Sequence, residues 1–294
     1  MPSIKIIEAY SGTLLSRLPD TLNVSITAYN EALLIRLLLG TANIELEHEN
    51  LVIRQRDNLS NALGTQNHRL HIDIIKNCFA PLTIADLDSY LRKTSNTNYT
   101  ILNDLIFEYS NYFISTRRGN HTSAFIYLYR ILEYISYSFP LIHASASHNY
   151  SGTFNNLQSY FTKEGSELTF LVKFINKLFD GEPIIDTTTD IQVQAPNAHI
   201  QDIVYKSYKR VIPSFIDSYN DSDKKFSIPY AKLVETIISI RNRYFHFAVG
   251  GQKNIRTVEI EYPEIFFAQI NHFAINWLSI IYFEVLKIMI DRWK

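Results

Sequence analysis

The chain has 294 residues, of which 46% are hydrophobic and 19% are charged, a balance that is typical of globular proteins. Its formal net charge of -1 excludes an overall basic field that would draw it onto nucleic acid. Its single cysteine, Cys78, excludes an internal disulfide and a metal site built from several thiolates.

The first hundred residues mix short β-like runs with apolar segments, and we predict a small α+β domain that acts as a sensor or partner-binding region. The β-like runs are residues 24–28 and 51–53, which we predict as strands. Residues 32–39 fit either a buried strand or a helix, because periodicity does not separate the two. Residues 1–5 lack the charged and then apolar run of a signal peptide, which predicts a cytoplasmic protein.

From residue 99 the pattern becomes helical, and we predict a mainly α fold for residues 101–294. The strongest segment covers residues 121–139, where apolar residues at helical spacing form one stripe. Pro140 is expected to end this helix. A further helix is predicted over residues 154–179.

A loop-rich insertion is predicted at about residues 180–228, because glycine, proline, threonine and aspartate punctuate a polar stretch there. One short helix is predicted inside it, at residues 200–208. Pro229 then opens a predicted helix over residues 230–247, which a pair of glycines ends.

The last predicted helix, residues 264–293, is long and apolar enough to suggest a membrane span. Polar side chains interrupt it throughout, among them Gln269, Asn276 and Glu284. Each such group would cost free energy in hydrocarbon. We therefore predict a buried or amphipathic helix and no membrane association.

The helix predicted over residues 230–247 carries the residues with the clearest chemical content. Arg241 falls among apolar neighbours, which predicts a partly buried guanidinium that needs an anionic partner. Asn242 and His246 are four residues apart and face the same way. The Asn242 side chain is therefore placed to hydrogen-bond the imidazole of His246 and to fix its tautomer.

Arg241 and His246 themselves do not share a helix face. Five residues advance an ideal helix by about 500°, so the two side chains diverge by about 140°. They can converge only if the arginine side chain reaches around the helix, or if a second copy of the chain supplies part of the site.

The spacing Arg241-Asn242-x-x-x-His246 resembles the Arg-x(4-6)-His motif of HEPN domains, in which a polar residue often follows the arginine. HEPN domains are small helical bundles of prokaryotic toxins, phage-defence proteins and CRISPR-associated ribonucleases. Their motif lies near the end of a late helix, before a turn and a final helix, as it does here. The resemblance covers roughly residues 100–294 and implies a C-terminal HEPN-like helical bundle preceded by the small α+β domain of residues 1–100.

The resemblance implies a metal-independent endoribonuclease that needs no cofactor. In such enzymes the 2'-hydroxyl of RNA attacks the adjacent phosphate and leaves a 2',3'-cyclic phosphate and a 5'-hydroxyl. His246 is then the general acid or base, and Arg241 holds the scissile phosphate. The family usually forms homodimers in which two motifs face each other. Its members act as toxins or abortive anti-phage effectors, which implies control by an antitoxin or another regulatory partner protein.

Four further residues are predicted around this catalytic pair. Asn242 and Glu133 are expected to support it, and Arg243 and Arg130 are expected to contact RNA. Arg130 and Glu133 lie three residues apart on the helix expected to pack beside the motif. Alternatively, they form a surface ion pair. For Arg243, the alternative is a solvated or interface charge.

The same residues are also compatible with functions other than RNA cleavage. Arg241 and His246 alternatively neutralise a buried acid such as Glu235 or Glu284. The HEPN-like bundle is then a catalytically inactive dimerisation or partner-binding module. A third interpretation is a nucleotide-binding sensor in which Arg241 binds a phosphate without cleavage.

Overall fold

The computed structural model describes residues 4–61, 71, 73–94, 97–146, 151–155, 167–245 and 254–293. These residues form a mainly α-helical protein with two small antiparallel sheets of three strands each. His246 and the glycine pair at positions 250 and 251 lie outside the described residues.

The N-terminal sheet consists of β1 (Ile4–Glu8), β2 (Ala42–Leu46) and β3 (Leu51–Arg54), which are antiparallel in that order. Buried and half-buried residues alternate along β2, as expected for a strand with one face on a core. Helix α1 (Asn30–Leu38) connects β1 to β2 and contributes Leu34, Ile35 and Leu37 to that core.

The strand predicted at residues 51–53 is confirmed as part of β3, and the ambiguous run at 32–39 is mostly helical. The strand predicted at residues 24–28 is wrong. There the amides of Ile26 and Thr27 bond back to the carbonyl of Asn23, which closes a turn. These local hydrogen bonds satisfy the backbone without a neighbouring strand.

The longer helices follow in chain order: α2 (Asp73–Phe79), α3 (Ile84–Thr94), α4 (Tyr99–Arg117), α5 (His121–Ala146), α6 (Glu167–Leu178), α7 (Ala198–Val211), α8 (Tyr230–Tyr244) and α9 (Pro263–Arg292). Residues 151–155 are also helical. The helices predicted over 154–179, 230–247 and 264–293 are thus confirmed in their described parts, except that each ends early, at Leu178, Tyr244 and Arg292. Residues 156–166 and 246–250 lie outside the described residues.

The prediction that Pro140 ends α5 is wrong, because the helix continues to Ala146. A proline inside a helix removes one backbone hydrogen bond and crowds the preceding turn. Here the helix packs against α9 at this point, where buried Phe139 contacts Tyr282 with ring centroids 6.0 Å apart. The burial of Ile135 and Phe139, which precede Pro140, contributes to offsetting the cost of the lost bond.

Residues 180–228 contain more regular structure than the loop-rich insertion predicted for them. Helix α7 confirms the short helix and extends it, and strands β4 (Thr188–Gln192), β5 (Ser218–Asn220) and β6 (Lys225–Pro229) form a sheet in the order β4-β6-β5. Ile191 opposes Phe226 in this sheet, and the Phe226 ring lies 4.6 Å from that of Tyr208 in α7. Such short strands depend on this packing, so the local sequence pattern did not indicate them.

Helix α9 runs through the centre of the protein and packs against α5, with Trp277 and Phe267 fully buried. It is the one helix among the described residues that is long and apolar enough to cross a membrane, and 72% of its most apolar window is buried inside the protein. The buried side chains of α9 face the other helices, which accounts for its composition.

The first hundred residues and the helical region share one hydrophobic core. The Asn276 side chain of α9 donates hydrogen bonds to the carbonyls of Leu59, at 3.2 Å, and Asn61, at 2.8 Å. Phe79 of α2 meets Phe283 of α9 edge to face, with ring centroids 6.0 Å apart. The division at about residue 100 into two domains stays a prediction.

Candidate functional site

The C-terminal end of α8 is anchored by a group of aromatic rings. Phe245, the residue that follows the helix, stacks on Phe125 of α5 with centroids 5.8 Å apart and an angle of 8° between the planes. The ring of Phe267 in α9 lies 5.9 Å from Phe245 and 5.3 Å from Tyr244. The last turn of α8 is therefore fixed between α5 and α9.

Arg241 lies in this last turn and turns its side chain towards α5. Its guanidinium carbon is 4.5 Å from the centroid of the buried Tyr129 ring. One terminal nitrogen, Nη2, is 3.9 Å from the Glu133 carboxylate, and Nη1 donates to the side-chain oxygen of Asn242 at 3.0 Å. The side chain is 27% exposed, so the predicted partly buried guanidinium with an anionic partner is confirmed.

The anionic partner is Glu133 and neither of the acids suggested by the sequence. Glu235 pairs with Lys232, and Glu284 pairs with Lys287. The distance of 3.9 Å to Glu133 is longer than a hydrogen bond, so this ion pair is loose. Since a guanidinium carries five N–H donors, Arg241 keeps donors for an anionic oxygen that approaches from the solvent.

Arg130 precedes Glu133 by one turn of α5 and pairs with a different acid. Its Nε and Nη2 atoms lie 2.8 and 2.7 Å from Oε1 of Glu108 in α4, so the alternative of an Arg130–Glu133 surface pair is not observed. Burial raises the pKa of Glu108, and the Arg130 charge offsets part of that rise. The Arg130 side chain is still 52% exposed, which leaves one side of its guanidinium open to solvent.

Arg243 points away from Arg241, towards the end of α7. It donates a hydrogen bond to the carbonyl of Val211, the last residue of that helix, where a cation is favourable because of the helix dipole. Its own carbonyl accepts a hydrogen bond from the amide of Ile255 at 2.7 Å. These contacts favour a structural role for Arg243, and its contact with RNA stays a prediction.

The structure thus brings together Arg241, Asn242 and Glu133, three of the predicted site residues. The predicted contact between Asn242 and His246 lies outside the described residues. Tyr129 was missed, although it precedes Glu133 by four residues and therefore shares its helix face. That spacing was the signal for it, because an aromatic face beside an acid suits a guanidinium.

Charges balance around the candidate site. Arg241 and Arg130 face Glu133 and Glu108, so these described residues of one copy do not form a strongly basic patch. Within the parts of the chain that the structure describes, no group of three or more histidine, cysteine, aspartate or glutamate side chains is arranged to hold a metal ion.

No protein-family model matches this chain, and neither does any curated protein or solved structure.

Proposed function

We propose that the protein is a metal-independent endoribonuclease with a HEPN-like helical bundle at its C-terminal side. His246 is its general acid or base, and Arg241 binds the scissile phosphate. One observation carries the proposal: the Arg241 guanidinium lies against the Tyr129 ring at the end of α8 and has only a loose ion pair with Glu133, and the Arg241 side chain is 27% exposed.

This geometry suits a phosphate ligand for a physical reason. The Tyr129 ring lies against the guanidinium, whose contacts with Asn242 and Glu133 use only some of its five N–H donors. A phosphate that gains negative charge in the transition state attracts the cation more strongly than a half-exposed carboxylate 3.9 Å away. Glu133 then keeps Arg241 oriented while no RNA is bound.

The active unit in this proposal is a homodimer. The HEPN domains that the sequence resembles usually pair so that two motifs face each other, and in this proposal the arginine of one copy acts with the histidine of the other. A dimer also brings two half-exposed Arg130 side chains to the RNA backbone. Asn242 orients the site through its hydrogen bond with Arg241.

The biological role that follows is that of a cytoplasmic toxin or an abortive anti-phage effector. A ribonuclease without a guide must be restrained in the cell, so an antitoxin or another regulatory partner belongs to the proposal. The N-terminal region, with its own sheet, is proposed to sense the trigger or to bind that partner.

A second candidate function is a bundle without catalysis, which dimerises, binds a partner or senses a nucleotide. The observation in its favour is that Tyr129, Glu133 and Asn242 already provide Arg241 with contacts inside the chain. These contacts are sufficient to explain a partly buried arginine without any substrate.

The first test is incubation of the purified protein with a pool of end-labelled RNA in the presence of a metal chelator. Wild type is compared with His246→Ala and with His48→Ala, a matched change at an exposed histidine. We expect wild type and His48→Ala to leave 2',3'-cyclic phosphate ends and His246→Ala to leave RNA intact. Cleavage of equal rate by His246→Ala would contradict the proposed mechanism.

A mixing experiment tests the shared site. Arg241→Gln and His246→Ala are each expected to be inactive alone. If the arginine and histidine of one site come from different copies, mixed dimers regain one complete site and about half of the wild-type activity per dimer. If both residues act within one copy, mixing restores nothing and the shared-site part of the proposal fails.

The second candidate makes a different prediction. A non-catalytic sensor would show a rise in melting temperature with a nucleotide that is lost in Arg241→Gln but kept in Arg17→Gln, a change at an exposed arginine. In that case no RNA is cleaved by the wild type under any of the conditions above.

A further inference from the structure

A cavity of about 590 Å³ lies further along α5 than Tyr129 and Glu133. It opens between α1, the start of α4, the second half of α5 and the end of α9. This volume falls within the range of pockets that hold small organic ligands. The cavity is separate from the residues proposed to act on RNA.

The walls of the cavity are mostly apolar. Leu105 of α4, Phe139 of α5 and Leu286 of α9 are buried side chains that line it. At its rim, Tyr99 is 54% exposed and Leu141 is 53% exposed. Exposed large apolar residues beside a concave apolar surface are typical of an entrance to a ligand site.

One carboxyl group is placed inside this apolar surrounding. Glu31, in the first turn of α1, lines the cavity together with Tyr90 of α3 and Tyr282 of α9. Burial raises the pKa of Glu31 to about 7, and the two tyrosine hydroxyls offset only part of that rise. A carboxyl group kept in such a place costs free energy, which a bound partner of opposite charge would recover.

Tyr282 lies next to Glu31 and is a second polar group in the cavity wall. Its side chain is buried, at 4% exposure, and its hydroxyl makes no well-formed hydrogen bond within the described part of the chain, although it is near enough to the Glu31 carboxylate to lower the pKa of that group. Buried hydroxyls are nearly always paired, because an unpaired one loses its hydrogen bonds to water without replacement. A polar ligand atom beside Glu31 would supply the missing partner.

The charge of the side chains that line the cavity indicates which class of ligand fits. Glu31 is the one charged side chain among the described residues that line the cavity, and no lysine, arginine or histidine is among them. An anionic ligand would therefore meet no counter-charge and one acid. A cationic ligand would find a carboxylate and a hydroxyl oxygen in an apolar surrounding, where an ion pair is weakly screened.

We propose that this cavity binds a small amphipathic amine. Its apolar body lies between α4, α5 and α9, and its protonated nitrogen donates hydrogen bonds to the Glu31 carboxylate and to the Tyr282 hydroxyl oxygen. The proposal goes beyond the ribonuclease function and does not depend on it.

The test is calorimetric titration at pH 8 with three probes of similar shape: phenylbutylamine, phenylbutanol and phenylbutanoate. We expect the wild type to bind the amine at least about tenfold more tightly than the alcohol and not to bind the carboxylate.

Glu31→Gln is expected to weaken amine binding by about tenfold or more and to leave alcohol binding unchanged. Tyr282→Phe is expected to weaken amine binding by a few-fold. Glu182→Gln, at an exposed acid, is the matched control and binds as the wild type does.

The pH dependence provides a second measurement on the unmodified protein. Tyr90 and Tyr282 face Glu31 from the helices packed against it, and Tyr99 of α4 lines the same cavity. Burial raises the pKa of the Tyr90 and Tyr282 hydroxyls, so both stay neutral up to alkaline pH. Amine affinity is therefore expected to rise from pH 6 to pH 8, with release of a proton as Glu31 ionises.

Three results would each overturn the proposal. The first is equal affinity of the wild type for the amine and the alcohol, and the second is no binding of the amine to the folded wild type. The third is undiminished amine affinity in a folded Glu31→Gln variant. If Glu31→Gln fails to fold, the comparison of the three probes on the wild type decides.

Discussion

Arg241 and Tyr129 connect the last turn of α8 to the middle of α5, with the guanidinium carbon 4.5 Å from the ring centroid. Tyr129 is buried, so its ring cannot turn aside without disturbing the core. A cation over an aromatic ring at a partly desolvated site contributes about 0.5–2 kcal/mol. The orientation of Arg241 is therefore set by α5 as much as by its own helix.

The ring of Tyr129 is expected to matter for RNA cleavage more than its hydroxyl. Tyr129→Leu removes the aromatic face below Arg241, and we expect the single-turnover cleavage rate to fall about 2- to 30-fold, as the loss of a cation–π contact implies. Tyr129→Phe keeps the face and should stay close to the wild-type rate. Equal losses in the two variants would show that the ring face is not what orients Arg241.

Neutralising Glu133 is expected to tighten RNA binding. The Glu133 carboxylate is the anionic partner of Arg241 and competes with a phosphate for the same guanidinium. Since both side chains are partly exposed, the pair contributes no more than about 1 kcal/mol. Glu133→Gln should therefore lower the Kd for RNA by up to about fivefold, measured by fluorescence anisotropy with the inactive His246→Ala background. A weaker affinity would instead mean that Glu133 holds Arg241 in its binding position.

Part of the candidate site follows from the sequence alone. Arg241 lies among apolar neighbours on its helix, and this pattern predicted a partly buried cation with an anionic partner. The identity of that partner depends on how α8 crosses α5, which the pattern of one helix does not contain. Glu133 was predicted only as a supporting residue, and Tyr129 was missed. For Arg130, the alternative was an ion pair with Glu133, whereas its partner in the structure is Glu108.

The fold shows the same division between local and long-range information. Long helices such as α5 and α9 carry enough apolar periodicity to be predicted directly. The strands of residues 180–228 are at most five residues long and depend on contacts with α7. The burial of Glu31 could not be predicted from its local sequence either, because it results from α3 and α9 packing over the start of α1.

A substitution of Arg243 distinguishes a structural role of this residue from a contact with RNA. Arg243→Gln removes the charge-assisted hydrogen bond to the carbonyl of Val211, and we expect a loss of about 1–2 kcal/mol in the free energy of unfolding. The Kd for RNA should change less than it does in Arg241→Gln, measured in the same anisotropy assay. An unchanged stability together with a large loss of RNA affinity would assign Arg243 to the RNA interface.

The N-terminal region depends on a buried ion pair. The Arg36 side chain is fully buried, and its five N–H donors bond to Glu8, Thr41 and the carbonyl of Leu22. Glu8→Gln leaves the buried guanidinium without a counter-charge, so we expect a loss of about 3–5 kcal/mol in urea unfolding. Glu47→Gln, at an exposed acid nearby, should change stability by less than about 0.5 kcal/mol. Similar values for the two variants would contradict this assignment.

Glu31 is expected to make the protein less stable as the pH rises. Burial raises its pKa in the folded state to about 7 from the ordinary value of 4.5, so between these values the folded protein holds a proton that the unfolded chain releases. The neutral carboxyl therefore stabilises the fold fully below pH 4.5, and this contribution is lost as the pH rises through 7. The whole shift corresponds to on the order of 3 kcal/mol.

Glu31→Gln places a neutral group of the same shape in the cavity and should remove this pH dependence. Urea unfolding of wild type and variant at pH 5 and pH 8 measures it, with Glu182→Gln as the exposed control. We expect the two proteins to be similar at pH 5, and the variant to be more stable by about 2–3 kcal/mol at pH 8. The variant and the wild type could instead differ in stability by the same amount at pH 5 and at pH 8. The Glu31 carboxyl would then carry the same charge in the folded and the unfolded chain over this range, which would contradict the raised pKa.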